Sequence, residues 1–231
     1  VQETEDVWTV KMTPPPEGGI QDYLPGQFYF LTFFRDPSLP VEEHHWTISS
    51  SPTQKDVISS TIKESGDFTA TIGKTQPRDM VAVDGPYGRF SYALHPEERD
   101  LVFLVGGIGI TPIMAMIRHM NELGDSRSVV LLYANRGSSQ IVFREELDRI
   151  AREGRPQLTV VHVLSRPEES WEGETGHVDG AMIEKYCGPN LENKVFYICG
   201  PPGMAKSLLK ALAERRVSKR QIRREIFSFI D

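Results

Sequence analysis

A run of apolar residues followed by closely spaced glycines constrains this chain more than any other feature. Residues 101–105 are all apolar, with β-branched and aromatic side chains among them, which is typical of a strand buried on both faces. Three glycines at 106–109 then allow a sharp turn with no Cβ beside it. Thr111, as an N-cap, and Pro112, as the first helical residue, predict that a helix follows. Free N–H groups at a helix N-terminus bind phosphate, so the stretch predicts a pyrophosphate site. The alternative, which stays open, is a tight strand-to-helix turn whose glycines serve only close packing and bind no ligand.

Composition excludes several classes of protein. The net charge of -6 on 231 residues argues against binding to nucleic acid or to an anionic membrane surface. No apolar run is long enough for a transmembrane helix, so we expect a cytoplasmic protein or the cytoplasmic-face domain of a membrane protein. The spacing of Cys187 and Cys199 fits neither a zinc site nor an iron–sulfur cluster. We therefore predict no metal and two free thiols.

The pattern of apolar residues changes along the chain. The first part contains short strands separated by turn residues, which predicts an antiparallel β-barrel. Only residues 68–76 look helical there, and residues 84–90 are interpreted as a turn-rich loop. From residue 99 strands and helices alternate, which predicts an α/β Rossmann-like domain with a parallel sheet. Its helices are expected at 111–123, 141–153 and 204–216, and its last strand at 224–230. We expect two domains, 1–97 and 98–231.

Two short motifs in the first part have the chemistry to hold a cofactor. Trp46 offers a flat apolar face, and Thr47 beside it offers a hydroxyl group, which is what a planar cofactor needs. A tryptophan in a strand is more often part of the core, and this alternative stays open. The glycine turn at 66–69 opens the short helix, and its backbone N–H groups could hold a second phosphate.

In their order along the chain these motifs resemble the ferredoxin–NADP reductase superfamily, in which an FAD-binding barrel precedes a nicotinamide-nucleotide domain. Residues 44–47, His-His-Trp-Thr, are similar to the family's Arg-x-Tyr-Ser/Thr flavin motif, and residues 66–69 to its second flavin motif. Residues 85–88 are similar to the loop between the two domains. Residues 106–112 match the family's nucleotide pyrophosphate motif, and residues 199–204 its Cys-Gly-Pro motif. The likeness covers essentially the whole chain.

The resemblance implies the cofactors and the residues that bind them. It implies FAD and either NADPH or NADH as cofactors, with hydride transfer from NAD(P)H to FAD and electrons then passed to an acceptor. The implied flavin-binding residues are His44, Trp46, Thr47, Ser50, Lys63, Gly66, Phe68 and Thr69. The implied nucleotide-binding residues are Gly106, Gly107, Gly109, Thr111, Arg136, Ser165, Arg166, Cys199, Gly200, Pro201 and Met204. Thr47, Cys199 and Glu225 are expected to tune the reacting site, and Phe227 to cover the flavin.

Two choices stay open at this stage. His44 replaces the family's usual arginine, as in the ferric reductase and NADPH oxidase branch, which favours the haem of a membrane ferric-reductase-type partner as acceptor. A free-standing reductase of a soluble iron–sulfur protein, flavin or quinone is the alternative, and a docking module without turnover is a third hypothesis. Arg136 and the pair Ser165 and Arg166 favour NADPH, since arginine binds a 2′-phosphate well, although the acids after Arg166 also suit NADH.

Overall fold

The computed structural model describes residues 1–15 and 17–226. The chain divides into two compact units. The first contains Val1–Leu94 together with Thr111–His119, and the second contains His95–Ile110 and the described chain from Met120 onward. Among the described residues no helix is both long and apolar enough to cross a lipid bilayer.

Apart from Thr111–His119, which belongs to a helix, the first unit is built mainly from antiparallel strands. Its strands are β1 (Gln2–Thr4), β2 (Val7–Met12), β3 (Phe28–Phe34), β4 (Glu43–Thr47), β5 (Ile58–Lys63) and β6 (Met80–Tyr87). They form two three-stranded sheets in the orders β1-β2-β5 and β4-β3-β6. Alternate residues of β3, namely Tyr29, Leu31 and Phe33, are buried and pack with Ile48 and Ile62. The predicted all-β class of this part of the chain is confirmed.

One of two local predictions in the first unit needs correction. The stretch interpreted as a loop from residue 84 is strand as far as Tyr87, because β6 stays paired with β3 across a register shift between Phe28 and Phe30. Gly85 enables this path with a φ of 130°. The stretch predicted to be helical contains a short 3₁₀ helix, Thr69–Lys74.

The rest of the described chain alternates strands with helices. Its elements are β7 (Asp100–Gly106), α1 (Ile110–Glu122), β8 (Ser128–Asn135), α2 (Arg144–Glu153), β9 (Gln157–Leu164), β10 (Glu174–Thr175), α3 (Gly180–Cys187), β11 (Lys194–Gly200), α4 (Pro202–Glu214) and β12 (Ile222–Ile226). The six strands form one parallel sheet in the order β10-β9-β8-β7-β11-β12. The predicted α/β class is confirmed, whereas β10 and α3 were not predicted.

Helix starts differ from the sequence expectations. A 3₁₀ turn over Gly107–Gly109 leads directly into α1 at Ile110. Thr111 is therefore the second residue of the helix and is buried, so the predicted N-cap is wrong. Helix α2 begins at Arg144 because Phe143 before it has a left-handed φ of 61°. The predicted last strand begins earlier, at Ile222, and its residues beyond 226 lie outside the described chain.

Candidate cofactor sites

Two glycine-containing turns meet at the carboxyl ends of β7 and β11, which are neighbours in the parallel sheet. A Cβ on Gly109 would lie 2.5 Å from the Cys199 carbonyl oxygen and 2.7 Å from its carbon. A Cβ on Gly106 would lie 2.5 Å from Met204 Sδ and 3.0 Å from Pro201 Cδ. The turns therefore pack closely against each other, and open α/β sheets bind nucleotides at such strand ends.

A buried tyrosine supports the first of these turns. Tyr133 lies on β8, next to β7, and is fully buried. Its hydroxyl donates to the carbonyl oxygen of Gly107 at 3.2 Å. Gly107 has a φ of 53° and open space where a Cβ would be. The phenol thus helps to fix the left-handed residue of the turn, and sequence reasoning did not single it out.

Cys199 and Glu225 face each other across the β11–β12 ladder. Burial raises the pKa of Glu225 from 4.5 to about 7. Burial first, and the Glu225 carboxylate second, raise the pKa of the Cys199 thiol well above its usual value. The thiol is therefore neutral and unsuited to nucleophilic attack. Within the described chain, Glu225 Oε2 is buried without a hydrogen-bond partner.

The loops after β8 and β9 run side by side at the same end of the sheet. The Arg166 N–H donates to the Arg136 carbonyl oxygen at 2.8 Å, and the Ser165 N–H donates to the Asn135 carbonyl oxygen at 3.0 Å. Both arginine side chains are exposed. Glu168 accepts hydrogen bonds from the N–H and the hydroxyl of Ser138. These backbone hydrogen bonds bring the loops that carry Arg136 and Arg166 side by side. They also place Glu168, an acid of the loop after β9, within bonding distance of Ser138, which follows β8.

In the first unit the two predicted flavin motifs meet through their aromatic rings. The Phe68 ring centroid lies 4.6 Å from that of His44 and 5.8 Å from that of Trp46, with which it is stacked. Trp46 also contacts Phe33 of the core edge-on, so it serves the core as well as the motif. Arg35 lies over the Phe68 ring, with its Cζ 4.9 Å from the ring centroid. Arg35 was not among the predicted residues.

The polar side chains predicted around the flavin are mostly bonded within the protein. The Ser50 hydroxyl is buried, bonds to Tyr23 Oη at 3.0 Å and accepts from the Ser59 N–H at 3.0 Å, and its contact with a flavin stays a prediction. Lys63 Nζ bonds Asp6 at 2.5 Å. His44 Nε2 lies 2.8 Å from a Glu42 carboxylate oxygen, an unexpected neighbour for a phosphate-binding imidazole.

The remaining predicted flavin residues have simpler surroundings. Thr47 is buried on β4 opposite Phe28. The Thr69 hydroxyl accepts from the Ser65 N–H and donates to the Gly66 carbonyl oxygen, which closes the turn of the second motif. Gly66 has open space around it. Phe227, predicted to cover the flavin, lies outside the described residues.

Comparison with known proteins agrees with a chain of two parts. Residues 2–91 match the family model of an FAD-binding domain, and residues 103–210 match that of an oxidoreductase NAD-binding domain. Cytochrome b5 reductase 4 of Rattus norvegicus is 30% identical over 206 residues, which cover 88% of this chain and 37% of that protein. NADH-cytochrome b5 reductase 2 of Debaryomyces hansenii is 32% identical over 147 residues, 63% of this chain and 48% of that protein.

The fold matches a solved structure over nearly its full length. The flavohem-like FAD/NAD binding domain of nitric oxide dioxygenase from Vibrio cholerae superposes with a TM-score of 0.85 at 21% identity, covering 98% of this chain and 94% of that one. This likeness concerns the fold. The chain spans less than half the length of the two curated relatives.

Proposed function

Because this chain belongs to the ferredoxin–NADP reductase superfamily of FAD- and NAD-binding oxidoreductases, we propose that it carries electrons from NAD(P)H through FAD to an acceptor protein. The observation that carries the proposal is the direct packing of Gly109 against the Cys199 carbonyl group, which brings the backbone at the ends of β7 and β11 together with no side chain between them. Nucleotides bind at adjacent strand ends of open α/β sheets, and Gly107 beside this contact has open space where a Cβ would lie.

The residues of the second unit fit a nicotinamide nucleotide. The backbone of the Gly106–Gly109 turn would lie against the pyrophosphate, and Glu225 Oε2, which has no hydrogen-bond partner among the described residues, would accept a hydrogen bond from the nicotinamide end. The neutral Cys199 thiol would pack against the nicotinamide and exclude water from it. With a pKa of about 7, Glu225 is partly protonated at neutral pH, so it can hold a proton in this site without carrying a full charge.

The residues of the first unit fit a flavin. Bound FAD supplies the redox chemistry, since it accepts a hydride and releases electrons singly or in pairs. Trp46 and the stacked Phe68 ring offer flat apolar faces, and Thr47 offers a hydroxyl group at the end of the same strand as Trp46. The open backbone at Gly66 suits a phosphate. These residues bind and orient, and none of them acts as a nucleophile.

For the acceptor we propose a haem protein of the cytochrome b5 type. The names of the two relatives support this choice. His44 supports a haem acceptor independently, through the likeness of its motif to the ferric reductase branch. The proposal is tested by mixing the reduced holoprotein with oxidised cytochrome b5, and with a ferredoxin in a separate run. If the ferredoxin oxidises the reduced protein faster than cytochrome b5 does, a cytochrome b5-type acceptor is contradicted.

The nucleotide preference can be tested at Arg166. We propose NADPH because Arg136 and Arg166 are exposed on adjacent loops, where a guanidinium can bind a 2′-phosphate with two hydrogen bonds. The name of the Debaryomyces hansenii relative points to NADH for that protein. We expect Arg166→Ala to raise the KM for NADPH by about ten-fold and to leave the KM for NADH unchanged. Equal changes for both nucleotides would contradict an NADPH site.

Removal of one hydroxyl tests the role of the glycine turn. Tyr133→Phe deletes the bond to Gly107 and keeps the buried ring. The turn would bind the nucleotide equally in the ground and transition states, so we expect KM to rise about five-fold with little change in kcat. Tyr186→Phe is the matched control, since it removes a half-buried phenol bonded to Glu174 in the same unit. A fall in kcat at constant KM would contradict this role.

Anaerobic reduction tests the function as a whole. The FAD-loaded protein is mixed with NADPH or NADH in separate cuvettes, and the flavin absorption is recorded. Rapid bleaching by at least one nucleotide is expected. Bound flavin that neither nucleotide bleaches would refute hydride transfer, and failure to bind FAD would refute the assignments of Trp46 and Gly66.

A further inference from the structure

A buried carboxylate, Glu98, joins the last two strands of the parallel sheet. It lies just before β7 and is only 7% exposed. Its Oε2 accepts a hydrogen bond from the Tyr197 hydroxyl at 2.7 Å, and its Oε1 accepts one from Arg223 Nη2 at 2.6 Å. Tyr197 lies on β11 and Arg223 on β12. The Glu98 side chain is therefore hydrogen-bonded to one residue of β11 and to one residue of β12.

The cluster around Glu98 has the donor types of a cation site. His95, Glu97 and Glu98 bring ligand atoms within 4.8 Å of one another. However, Arg223 donates from Nε to His95 Nε2 at 3.2 Å as well as from Nη2 to Glu98. The guanidinium thus supplies the positive charge that a metal ion would bring. We therefore interpret Glu98, His95 and Arg223 as a group of side chains that holds β12 in place, and we call this group the clamp.

The clamp and the candidate nucleotide site lie along the same pair of strands, β11 and β12. Tyr197 is paired with Arg223, and Cys199 is paired with Glu225 two residues further along. Because side chains alternate between the faces of a sheet, Arg223 and Glu225 lie on the same face. Strand β12 is the edge strand and pairs with β11. A slip of one residue would turn Glu225 to the other face.

We propose that Glu98 and Arg223 are positioning residues that fix the register of β12 and thereby hold Glu225 beside Cys199. A slipped strand would leave the Glu98 carboxylate buried without its guanidinium, which is strongly unfavourable. The inference rests on the proposed function, in which Glu225 faces the nicotinamide. Glu98 and Arg223 would not touch the reacting atoms themselves. They would set the position of Glu225, which faces the nicotinamide.

Several titratable groups face Glu225, and an experiment must separate them. The Cys199 thiol lies directly opposite on β11, while Arg223, Tyr197 and Glu98 lie one step back on the same face. His95 adjoins Arg223. Comparing each background with and without Glu225→Gln isolates the contribution of Glu225, because the other groups are common to both members of a pair.

The experiment measures the urea midpoint of unfolding at acid and at mildly alkaline pH. Four backgrounds are compared, each with and without Glu225→Gln: wild type, Glu98→Gln, Arg223→Gln and Asp179→Ala. Asp179→Ala is the control, because it removes the N-cap bond to the Met182 N–H of α3 in the same unit and makes no change in the β11–β12 pair. A misplaced Glu225 gains water, so we expect its pH-dependent contribution to fall roughly two-fold or more in the Glu98 and Arg223 variants. The control is expected to keep it.

The outcomes separate positioning from general stability. If the Arg223 variant lowers the midpoint but keeps the full Glu225 contribution, the inference is overturned. Should Arg223→Gln fail to fold, Arg223→Lys and Glu98→Gln decide in the same way. A second arm follows flavin reduction in the loaded protein, where both clamp variants are expected to be slower than the control. A wild type that NAD(P)H cannot reduce would refute the proposed function, and the urea comparison would still decide the inference.

Discussion

Replacing Gly109 by alanine is expected to lower the rate of flavin reduction by NAD(P)H by about a hundred-fold, while bound FAD is retained. The added Cβ would lie 2.5 Å from the Cys199 carbonyl oxygen and 3.0 Å from the Gly200 nitrogen. Both neighbours are backbone atoms of β11, so no side chain can rotate away. The two turns must separate, at a cost of about 1–3 kcal/mol in the free energy of unfolding.

A glycine in the first turn of helix α4 provides the matched control. Gly203 has nothing within 4 Å of its would-be Cβ and lies in α4, where alanine is the better helix former. Gly203→Ala should therefore keep both stability and the reduction rate. The measurements are stopped-flow flavin bleaching and urea unfolding of the two variants. If Gly109→Ala reduces as fast as the control, the packing of Gly109 against Cys199 does not shape the nucleotide site.

The glycine turn shows how much of the site local sequence can predict. A buried strand, three glycines and a following helix are properties of adjacent residues, and all are present over residues 100–122. The helix start was predicted wrongly because the glycines themselves form a 3₁₀ turn that continues into α1. The approach of Gly109 to Cys199 depends on the pairing of β7 with β11, which no local pattern specifies.

Residues that act through tertiary contacts were missed for the same reason. Tyr133 looks like an ordinary core residue of β8, and its bond to Gly107 arises only when β7 and β8 pair. Glu98 looks like a surface acid in a turn until Tyr197 and Arg223 reach it. Ser50 shows the same dependence, since its place after a flavin motif predicts a ligand contact, whereas the bond of its hydroxyl to the Ser59 N–H is visible only in the fold.

Glu225→Gln is expected to remove a pH dependence of stability that the natural chain shows. Burial raises the pKa of Glu225 from 4.5 to about 7, so between these values the folded state binds more protons than the unfolded state. Stability contributed by the protonated carboxyl is therefore fully present below about pH 4.5 and is lost as the pH rises through about 7. A shift of this size corresponds to about 3 kcal/mol.

Urea unfolding between about pH 4 and pH 9 measures this dependence in Glu225→Gln and in a control, Glu214→Gln, which changes an exposed glutamate at the end of α4. The Glu225 variant should gain stability relative to the natural chain as the pH rises, because an amide is never ionised in the interior. The control should follow the natural chain. Parallel pH profiles for all three proteins would mean that Glu225 is hydrated, and a hydrated carboxylate beside Cys199 would place full negative charge in the proposed nicotinamide site at neutral pH.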